Sequence, residues 1–253
     1  MNDFWWLPEN VSIGNLFVGV GSHGPVADED SPKWLHSIKK GVLVESEERC
    51  GLSFLSHWRS ICSDTNVYRT LSLYCRTVEE PILLGPFVVD IDNAENLADA
   101  QSVARQVATY LTEQWELSQD KFRLLFSGHK GFNVEILPES AGINGEIPDQ
   151  LRLSSQKLDD IISFLRKTNN IKSPTVNCVS DRGTVIDRIS GDRYGYRLKH
   201  PYMRLHNSIN EWIRKDGSRG RRRKIEITID QLMNCSAAEI SLISEKSLTP
   251  PAL

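Results

Sequence analysis

The sequence predicts an α/β fold, of the α+β type, in which a mostly antiparallel sheet is flanked by helices. Short apolar runs bounded by polar turns, such as 122–126, have the length and composition of buried strands. Two longer stretches, 93–117 and 150–167, repeat apolar residues at the spacing of one helix face. Glycine-containing turns follow several of the strand-like runs, which indicates hairpins.

The bulk composition is that of an ordinary globular protein. The chain has 253 residues, which fits one large α/β domain, and its formal net charge of −3 creates no global basic field. A basic groove for nucleic acid can still exist on a slightly acidic chain. We expect a single domain over 1–253, with a motif core over 67–230, an N-terminal elaboration over 1–66 and a linker-like tail over 245–253.

The cysteines and the apolar runs indicate the compartment. The five cysteines are scattered and form no CxxC pair, so we expect a reduced, cytoplasmic chain without a structural zinc site. A zinc knuckle of Cys50, His57, Cys62 and Cys75 is the alternative, although its spacings are looser than the standard zinc patterns. We expect no signal peptide and no membrane partner, because no basic-then-apolar leader and no transmembrane-length run is present.

The first third of the chain contains a glycine-rich stretch, a helix signal and two strands. Gly19, Gly21 and Gly24 lack the following Lys-Ser/Thr of a phosphate loop, so we expect an ordinary loop there. Ser31-Pro32 predicts the start of a short helix. Strands are predicted over 67–74 and 81–92, and Asn93 is the expected N-cap of the helix that follows.

The remaining elements alternate between strands, turns and a helix. A strand over 122–126 leads through the turn 127–131 into a strand over 132–137. A loop over 140–149 precedes the second long helix. An extended region ends in the strand 184–187, and a hairpin is predicted over 211–229 around the turn Lys215-Asp216-Gly217.

The strand that ends in Asp90 and Asp92 carries the strongest chemical signal. Successive side chains of a strand point to opposite faces, so both aspartates emerge on one face while Ile91 enters the core. Two neighbouring carboxylates repel each other unless a cation lies between them, and Mg²⁺ and Mn²⁺ prefer such oxygen ligands. The alternative is that one aspartate caps the helix and the other is solvated.

The turn between the next two strands combines a hydroxyl, an imidazole and an ammonium group. Its residues are Ser127, Gly128, His129, Lys130 and Gly131. Glycines allow a close approach of the backbone to a ligand, and the N–H groups of such a turn can bind an anion. Ser127, His129 and Lys130 are therefore candidates for phosphate binding, whereas an ordinary hairpin turn would explain the glycines alone.

A third apolar run ends in an aspartate, Asp187, and a basic segment follows it. The density of Arg, Lys and His over 188–208 suits a triphosphate or a nucleic-acid backbone, and interleaved tyrosines add surfaces for base stacking. The alternative is an exposed charged loop.

The order of these blocks resembles that of the archaeo-eukaryotic primase superfamily, which includes primase small subunits, primase-polymerases and the polymerase domains of end-joining ligases. Asp90 and Asp92 match the first motif, Ser127-Gly-His129 the second and Asp187 the third. The segment 202–208 is similar to the family's Arg-Leu-Pro-x-Ser segment, with His206 where proline is common, and 67–70 resembles a short Tyr-Arg-Ser segment. Many members carry a histidine where this chain has Asn133.

The resemblance implies a primase-type catalytic core that extends or starts a strand on a single-stranded DNA template. Asp90, Asp92 and Asp187 would be catalytic and would hold two Mg²⁺ or Mn²⁺ ions, at which a 3′-hydroxyl attacks the α-phosphate of an NTP or dNTP. A helicase domain or an accessory replication subunit is an expected partner. The expected nucleotide-binding residues are Ser127, Gly128, His129, Lys130, Asn133, Arg197, Arg204 and Ser208.

The basic hairpin is the expected contact for the template backbone, with a solvated hairpin tip as the alternative. Its candidate residues are Arg214, Lys215, Arg219, Arg221, Arg222 and Arg223.

Two other functions stay open. A metal-dependent nuclease would use the same aspartates without a triphosphate pocket. A catalytically silent primase-like module would bind nucleic acid or scaffold a partner, an idea that Asn133 favours.

Overall fold

The computed structural model describes residues 5–6, 20–23, 26–27, 66–73, 83–93, 96–169, 178–179, 185–187, 202–214 and 216–248. The chain divides into two compact units. The first unit comprises 1–85, 199–224 and 247–253, and the second comprises 86–198 and 225–246. The predicted helix at Ser31-Pro32 and the zinc-knuckle residues lie outside the described residues. The single domain remains an expectation.

The described strands and helices are numbered in chain order. The strands are β1 (Val20–His23), β2 (Val26–Ala27), β3 (Asn66–Thr70), β4 (Phe87–Asp92), β5 (Phe122–Phe126), β6 (Gly131–Ile136), β7 (Cys178–Val179), β8 (Val185–Asp187), β9 (Tyr202–Arg204), β10 (Ile209–Ile213), β11 (Arg219–Arg223) and β12 (Ile225–Ile227). The α-helices are α1 (Leu97–Glu113), α2 (Ile147–Asn169), α3 (Ile229–Asn234) and α4 (Ala237–Lys246). Short 3₁₀ turns cover Gln119–Lys121 and Glu139–Ala141.

The second unit is built on a six-stranded sheet in the order β12-β5-β6-β4-β8-β7. All of its strand pairs are antiparallel. Together with the flanking helices, this sheet confirms the predicted α+β fold with a mostly antiparallel sheet.

One face of this sheet forms the hydrophobic core. Val89 and Ile91 of β4 are fully buried and pack in one cluster with Val134 of β6, Leu111 of α1 and Leu158 of α2. The intervening strand residues point to the other face, because side chains alternate along a strand. The second face, which we call the polar face, carries Asp90, Asp92, Asn133 and Glu135 beside the buried Val88 and Leu125.

Helix α1 begins later than the sequence predicts. Asn96 is its N-cap, and the Asn96 side chain accepts a hydrogen bond from the Ala98 N–H at 3.1 Å. The prediction that Asn93 is the N-cap is wrong. Asn93 Oδ1 instead accepts from the Asn96 N–H at 2.9 Å, and the Asn93 N–H donates to the Lys130 carbonyl at 2.9 Å. Asn93 thus ties the end of β4 to the neighbouring turn.

Helix α2 starts before its predicted first residue, at Ile147 rather than at residue 150. Pro148 lies in the first turn of α2, where its missing N–H costs nothing, so the loop predicted over 140–149 ends earlier than expected. The four residues Leu158, Ile161, Ile162 and Leu165 form its buried stripe, as the sequence predicts.

The first unit contains two three-stranded sheets, in the orders β1-β3-β9 and β11-β10-β2. Strand β1 includes Gly21, so the expectation of a loop is wrong there: its register pairs Gly21 with Tyr68 of β3. Strands β10 and β2 are parallel, whereas the other neighbours in these two sheets are antiparallel.

The predicted hairpin over 211–229 is correct only in its first half. Strands β10 and β11 pair around a turn in which Gly217 has a φ of +79°, a conformation that suits glycine. Lys224 closes this hairpin, because its N–H donates to the Ser208 carbonyl and its carbonyl accepts from the Asn207 N–H. The chain then enters the other sheet, where β12 pairs with β5.

Four side-chain hydrogen bonds join α1 to the end of α3. Gln101 Nε2 donates to the carbonyls of Leu232 and Cys235 at 3.0 and 2.8 Å, and Arg105 donates to the same carbonyls at 2.7 and 2.9 Å. These carbonyls end a helix and would otherwise lack a donor.

Replacing the buried Gln101 with leucine is expected to lower the free energy of unfolding by about 1 to 3 kcal/mol, because two donors are lost inside the protein. Urea denaturation measures the change. Gln156→Leu, at an exposed position of α2, is the matched control. An unfolding midpoint equal to that of the unmodified protein would show that Arg105 alone satisfies both carbonyls.

A search of the described residues for a helix long and apolar enough to cross a membrane finds none.

Candidate metal and phosphate site

Strand register brings the three predicted aspartate positions together. Asp90 of β4 is paired with Asn133 of β6 on one side and with Asp187 of β8 on the other. Residues directly opposite each other in an antiparallel pair belong to the same face of the sheet. Asp92 lies two residues along β4 and shares that face. The positions of the three aspartates therefore adjoin on the polar face.

The burial along β4 agrees with this arrangement. Val89 and Ile91 are 0% exposed, whereas Asp90 and Asp92 are partly exposed. The two carboxylates are thus partly accessible to solvent, while Val89 and Ile91 anchor the strand in the core. This alternation places two acidic groups where a ligand can reach them.

The carboxylates of Asp90 and Asp92 each have a partner that donates to them from strand β6 or from the turn before it. The Asn133 side-chain amide donates to Asp90 Oδ1. Lys130 Nζ lies 2.9 Å from Asp92 Oδ2. Sequence reasoning assigned both Asn133 and Lys130 to nucleotide binding and missed these contacts. The contact between Asn133 and Asp90 could have been predicted only by aligning the two strands so that these residues face each other.

The turn over 127–130 is held by hydrogen bonds of its own. The Ser127 N–H donates to the Gly131 carbonyl at 2.9 Å, and Ser127 Oγ accepts from the Gly131 N–H at 3.2 Å and from the His129 N–H at 3.5 Å. Gly128 adopts a φ of +87°, which glycine tolerates best. The N–H groups of Ser127, His129 and Gly131 thus already have an acceptor, so the side chains of the turn are the better candidates for phosphate binding.

Gly131 is the point of closest approach between the turn and β4. A Cβ atom at this position would overlap the Ile91 carbonyl oxygen and Asp92 Oδ1, and it would lie 2.9 Å from the Asp92 Cα atom. No rotamer change relieves an overlap with a backbone oxygen. The absence of a side chain at Gly131 is therefore what lets the turn lie beside Asp92.

The other predicted nucleotide ligands belong to the first unit or lie outside the described residues. Arg204 is in β9, where its position pairs with Tyr68. Ser208 is buried, and its hydroxyl donates to the Leu205 carbonyl at 2.6 Å, which stabilises the turn before β10. Arg197 lies outside the described residues.

The basic hairpin has a mixed surface. Arg219 and Arg221 are exposed and share one buried partner, Glu211, at 3.3 and 4.0 Å. Arg222 lies over the ring of Trp212, with its guanidinium carbon 5.4 Å from the ring centroid. Arg223 donates to the carbonyls of Ser247 and Asn207, both at 2.8 Å. Lys215 lies outside the described residues.

The tip of this hairpin carries charges of both signs. Arg214 is exposed, as is Asp216. The Ser218 hydroxyl and N–H donate to Asp216 and hold the pKa of its carboxyl below the usual value. The tip therefore carries both a positive and a negative charge at neutral pH, and the exposed cations of β11 provide the stronger surface for an anionic partner.

The residues of the polar face fit hard divalent cations. Carboxylate oxygens are the ligands that Mg²⁺ and Mn²⁺ prefer, and both described carboxylates already attract a donor hydrogen, one of them from an ammonium group. Among the residues whose side chains are described, no cluster of three potential metal ligands forms. The third candidate, Asp187, is placed beside Asp90 by backbone register alone.

Comparison with solved structures found similar chains, among them a polymerase domain. No protein-family model and no curated protein matches the chain. The chain is similar to the polymerase domain from Mycobacterium tuberculosis ligase D in complex with DNA, with 13% sequence identity and a TM-score of 0.48 over 95% of this chain and 86% of that one. Similarity at this level does not carry function from one protein to another.

Proposed function

We propose that this protein is a metal-dependent nucleotidyltransferase that starts or extends a nucleic-acid strand on a single-stranded DNA template, as a primase or primase-polymerase does. One observation carries the proposal. Antiparallel register sets the positions of Asp90, Asp92 and Asp187 side by side on the polar face, next to a turn that carries Ser127, His129 and Lys130. Acidic and phosphate-binding groups in one place suit phosphoryl transfer.

In this proposal Asp90, Asp92 and Asp187 hold Mg²⁺ or Mn²⁺. Bound there, the metal supplies the positive charge that activates a 3′-hydroxyl and stabilises the departing pyrophosphate. The Asn133 amide keeps Asp90 in one orientation through its hydrogen bond. Ser127, His129 and Lys130 bind oxygens of the triphosphate, and Gly131 keeps their turn close to Asp92. Positioning and charge then perform the catalysis without a covalent intermediate.

A catalytically silent module is the second candidate, and one observation favours it. Asn133 and Lys130 already provide the two described carboxylates with donors from the protein. Such an arrangement stabilises the acidic pair without any metal, so a binding protein could retain it.

Incorporation of labelled dNTPs and NTPs on a single-stranded template, with and without an annealed primer, tests the proposal in Mg²⁺ and in Mn²⁺. Extension of the primer supports a polymerase, and product without a primer adds primase activity. Shortening of the template instead would indicate a nuclease. Template binding without any reaction would favour the silent module.

The exposed arginines of β11 are the proposed contact with the template backbone. Arg219→Ala/Arg221→Ala is expected to reduce affinity for single-stranded DNA and to lower the slope of log K against log salt by about 1.4, since two phosphate contacts at about 0.7 each are removed. Fluorescence anisotropy at several salt concentrations measures the slope. Arg152→Ala/Lys167→Ala removes the same charge from the exposed surface of α2 and is the matched control. Equal slopes for the two double variants would exclude a role for this strand.

A further inference from the structure

Lys130 has a second role that its place in the turn makes available. Its ammonium group lies 2.9 Å from Asp92 Oδ2, on the polar face where metal binding is proposed. We propose that Lys130 is an internal counter-ion: it neutralises Asp92 in the metal-free protein, and it moves to a phosphate oxygen of the nucleotide when a divalent cation occupies the aspartates. This inference rests on the proposed function, and it adds a coupling between metal binding and nucleotide binding.

The backbone of Lys130 is anchored, so the exchange needs only a movement of the side chain. The Lys130 carbonyl accepts from the Asn93 N–H at 2.9 Å, which joins the turn to the end of β4. The next residue, Gly131, pairs with Asp92 in the β4–β6 register. The flexible four-carbon stem of lysine then allows the ammonium group to move while the turn keeps its position.

The ion pair is weak enough to exchange. The side chain of Lys130 is 47% exposed and that of Asp92 is 21% exposed, so water and salt screen their attraction. Pairs of this kind contribute about 0.2 to 1 kcal/mol. A divalent cation carries twice the charge of an ammonium group, so it competes for Asp92 and repels Lys130.

The exchange predicts effects of opposite sign on two binding equilibria. Without the Lys130 charge, a cation meets the aspartates with no competitor and no repulsion, so metal alone binds more tightly. The nucleotide loses a cationic partner for its phosphates, so it binds more weakly. A lysine that served phosphate only would leave metal binding unchanged, and a purely structural ion pair would leave nucleotide binding unchanged.

Direct binding measurements with Mn²⁺ test this exchange. Electron paramagnetic resonance gives the affinity for Mn²⁺ alone, and calorimetry gives the affinity for a dNTP in saturating Mn²⁺. We expect Lys130→Met to bind Mn²⁺ alone about fivefold more tightly and the dNTP about tenfold more weakly. Lys130→Arg keeps the charge and should shift both affinities less than Lys130→Met does. Lys167→Met, which removes an exposed charge on α2, is the matched control and should resemble the unmodified protein.

Asp90→Asn/Asp92→Asn separates failure of this inference from failure of the proposed function. If this variant loses Mn²⁺ binding while Lys130→Met binds Mn²⁺ no more tightly than the unmodified protein, the counter-ion role is excluded and the metal site stands. If Asp90→Asn/Asp92→Asn binds Mn²⁺ as well as the unmodified protein, or if none of the proteins binds it, both proposals fall. Thermal unfolding verifies that each variant is folded.

Discussion

Asp90→Asn/Asp92→Asn is expected to lower the rate of nucleotide incorporation at least about a thousandfold, since even one lost transition-state contact costs about a hundredfold to a thousandfold. Asparagine keeps the shape of each side chain and removes its negative charge. If the proposed function is right, the polar face would then no longer attract divalent cations, and the triphosphate would have no metal to neutralise it. Single-turnover incorporation on a primed template measures the loss.

The stability of this double variant should not fall with its activity. Two adjacent carboxylates on one face of β4 repel each other, and their removal offsets the lost ion pair with Lys130. Asp160→Asn, at an exposed position of α2, is the matched control and should keep full activity. Incorporation within tenfold of the unmodified rate would exclude these aspartates from catalysis.

Gly131→Ala is expected to destabilise the second unit by about 3 kcal/mol, because added atoms in a packed site cost about 1 to 3 kcal/mol and this one meets a backbone oxygen. The added Cβ atom overlaps the Ile91 carbonyl and Asp92, so β4 and β6 must separate at Asp92 on the polar face. Incorporation should fall even in preparations that remain folded. Urea denaturation and incorporation assays on the same sample measure both effects.

Gly142→Ala distinguishes this steric effect from a general cost of replacing glycine. Gly142 has a φ of +72°, and a Cβ atom there would meet nothing within 4 Å. Its replacement introduces backbone strain of about 1 kcal/mol without any overlap, so it should leave incorporation unchanged. If the two variants lose equal stability and equal activity, close packing of Gly131 against β4 does not shape the site.

Local patterns predicted several strands of the six-stranded sheet correctly. Strand β5 covers the predicted residues 122–126, and β8 ends at Asp187 as the sequence indicates. A period of two along β4 is enough to put Asp90 and Asp92 on the face opposite Ile91. Such features depend on residues that are neighbours in the chain, so they can be predicted from the sequence alone.

Boundaries and strand partners were harder to predict, because they depend on contacts between distant segments. Asparagine is a residue type preferred at N-caps, yet the hydrogen bond from the Asn93 N–H to the Lys130 carbonyl holds Asn93 outside the helix. The residues after Lys224 continue the alternation of the hairpin, yet β12 pairs with β5 in a different sheet. In both cases a long-range pairing prevailed over a local preference.

By itself, the sequence determined the acidic strand end, the polar turn and the antiparallel class of the fold, because periodicity and turn chemistry act over a few residues. Only the tertiary structure decided that Asn133 would contact Asp90, that Lys130 would neutralise Asp92 and that position 187 would adjoin position 90. These contacts arise from the register of strands far apart in the chain. Register is set by the packing of whole strands against the core, and no short motif contains it.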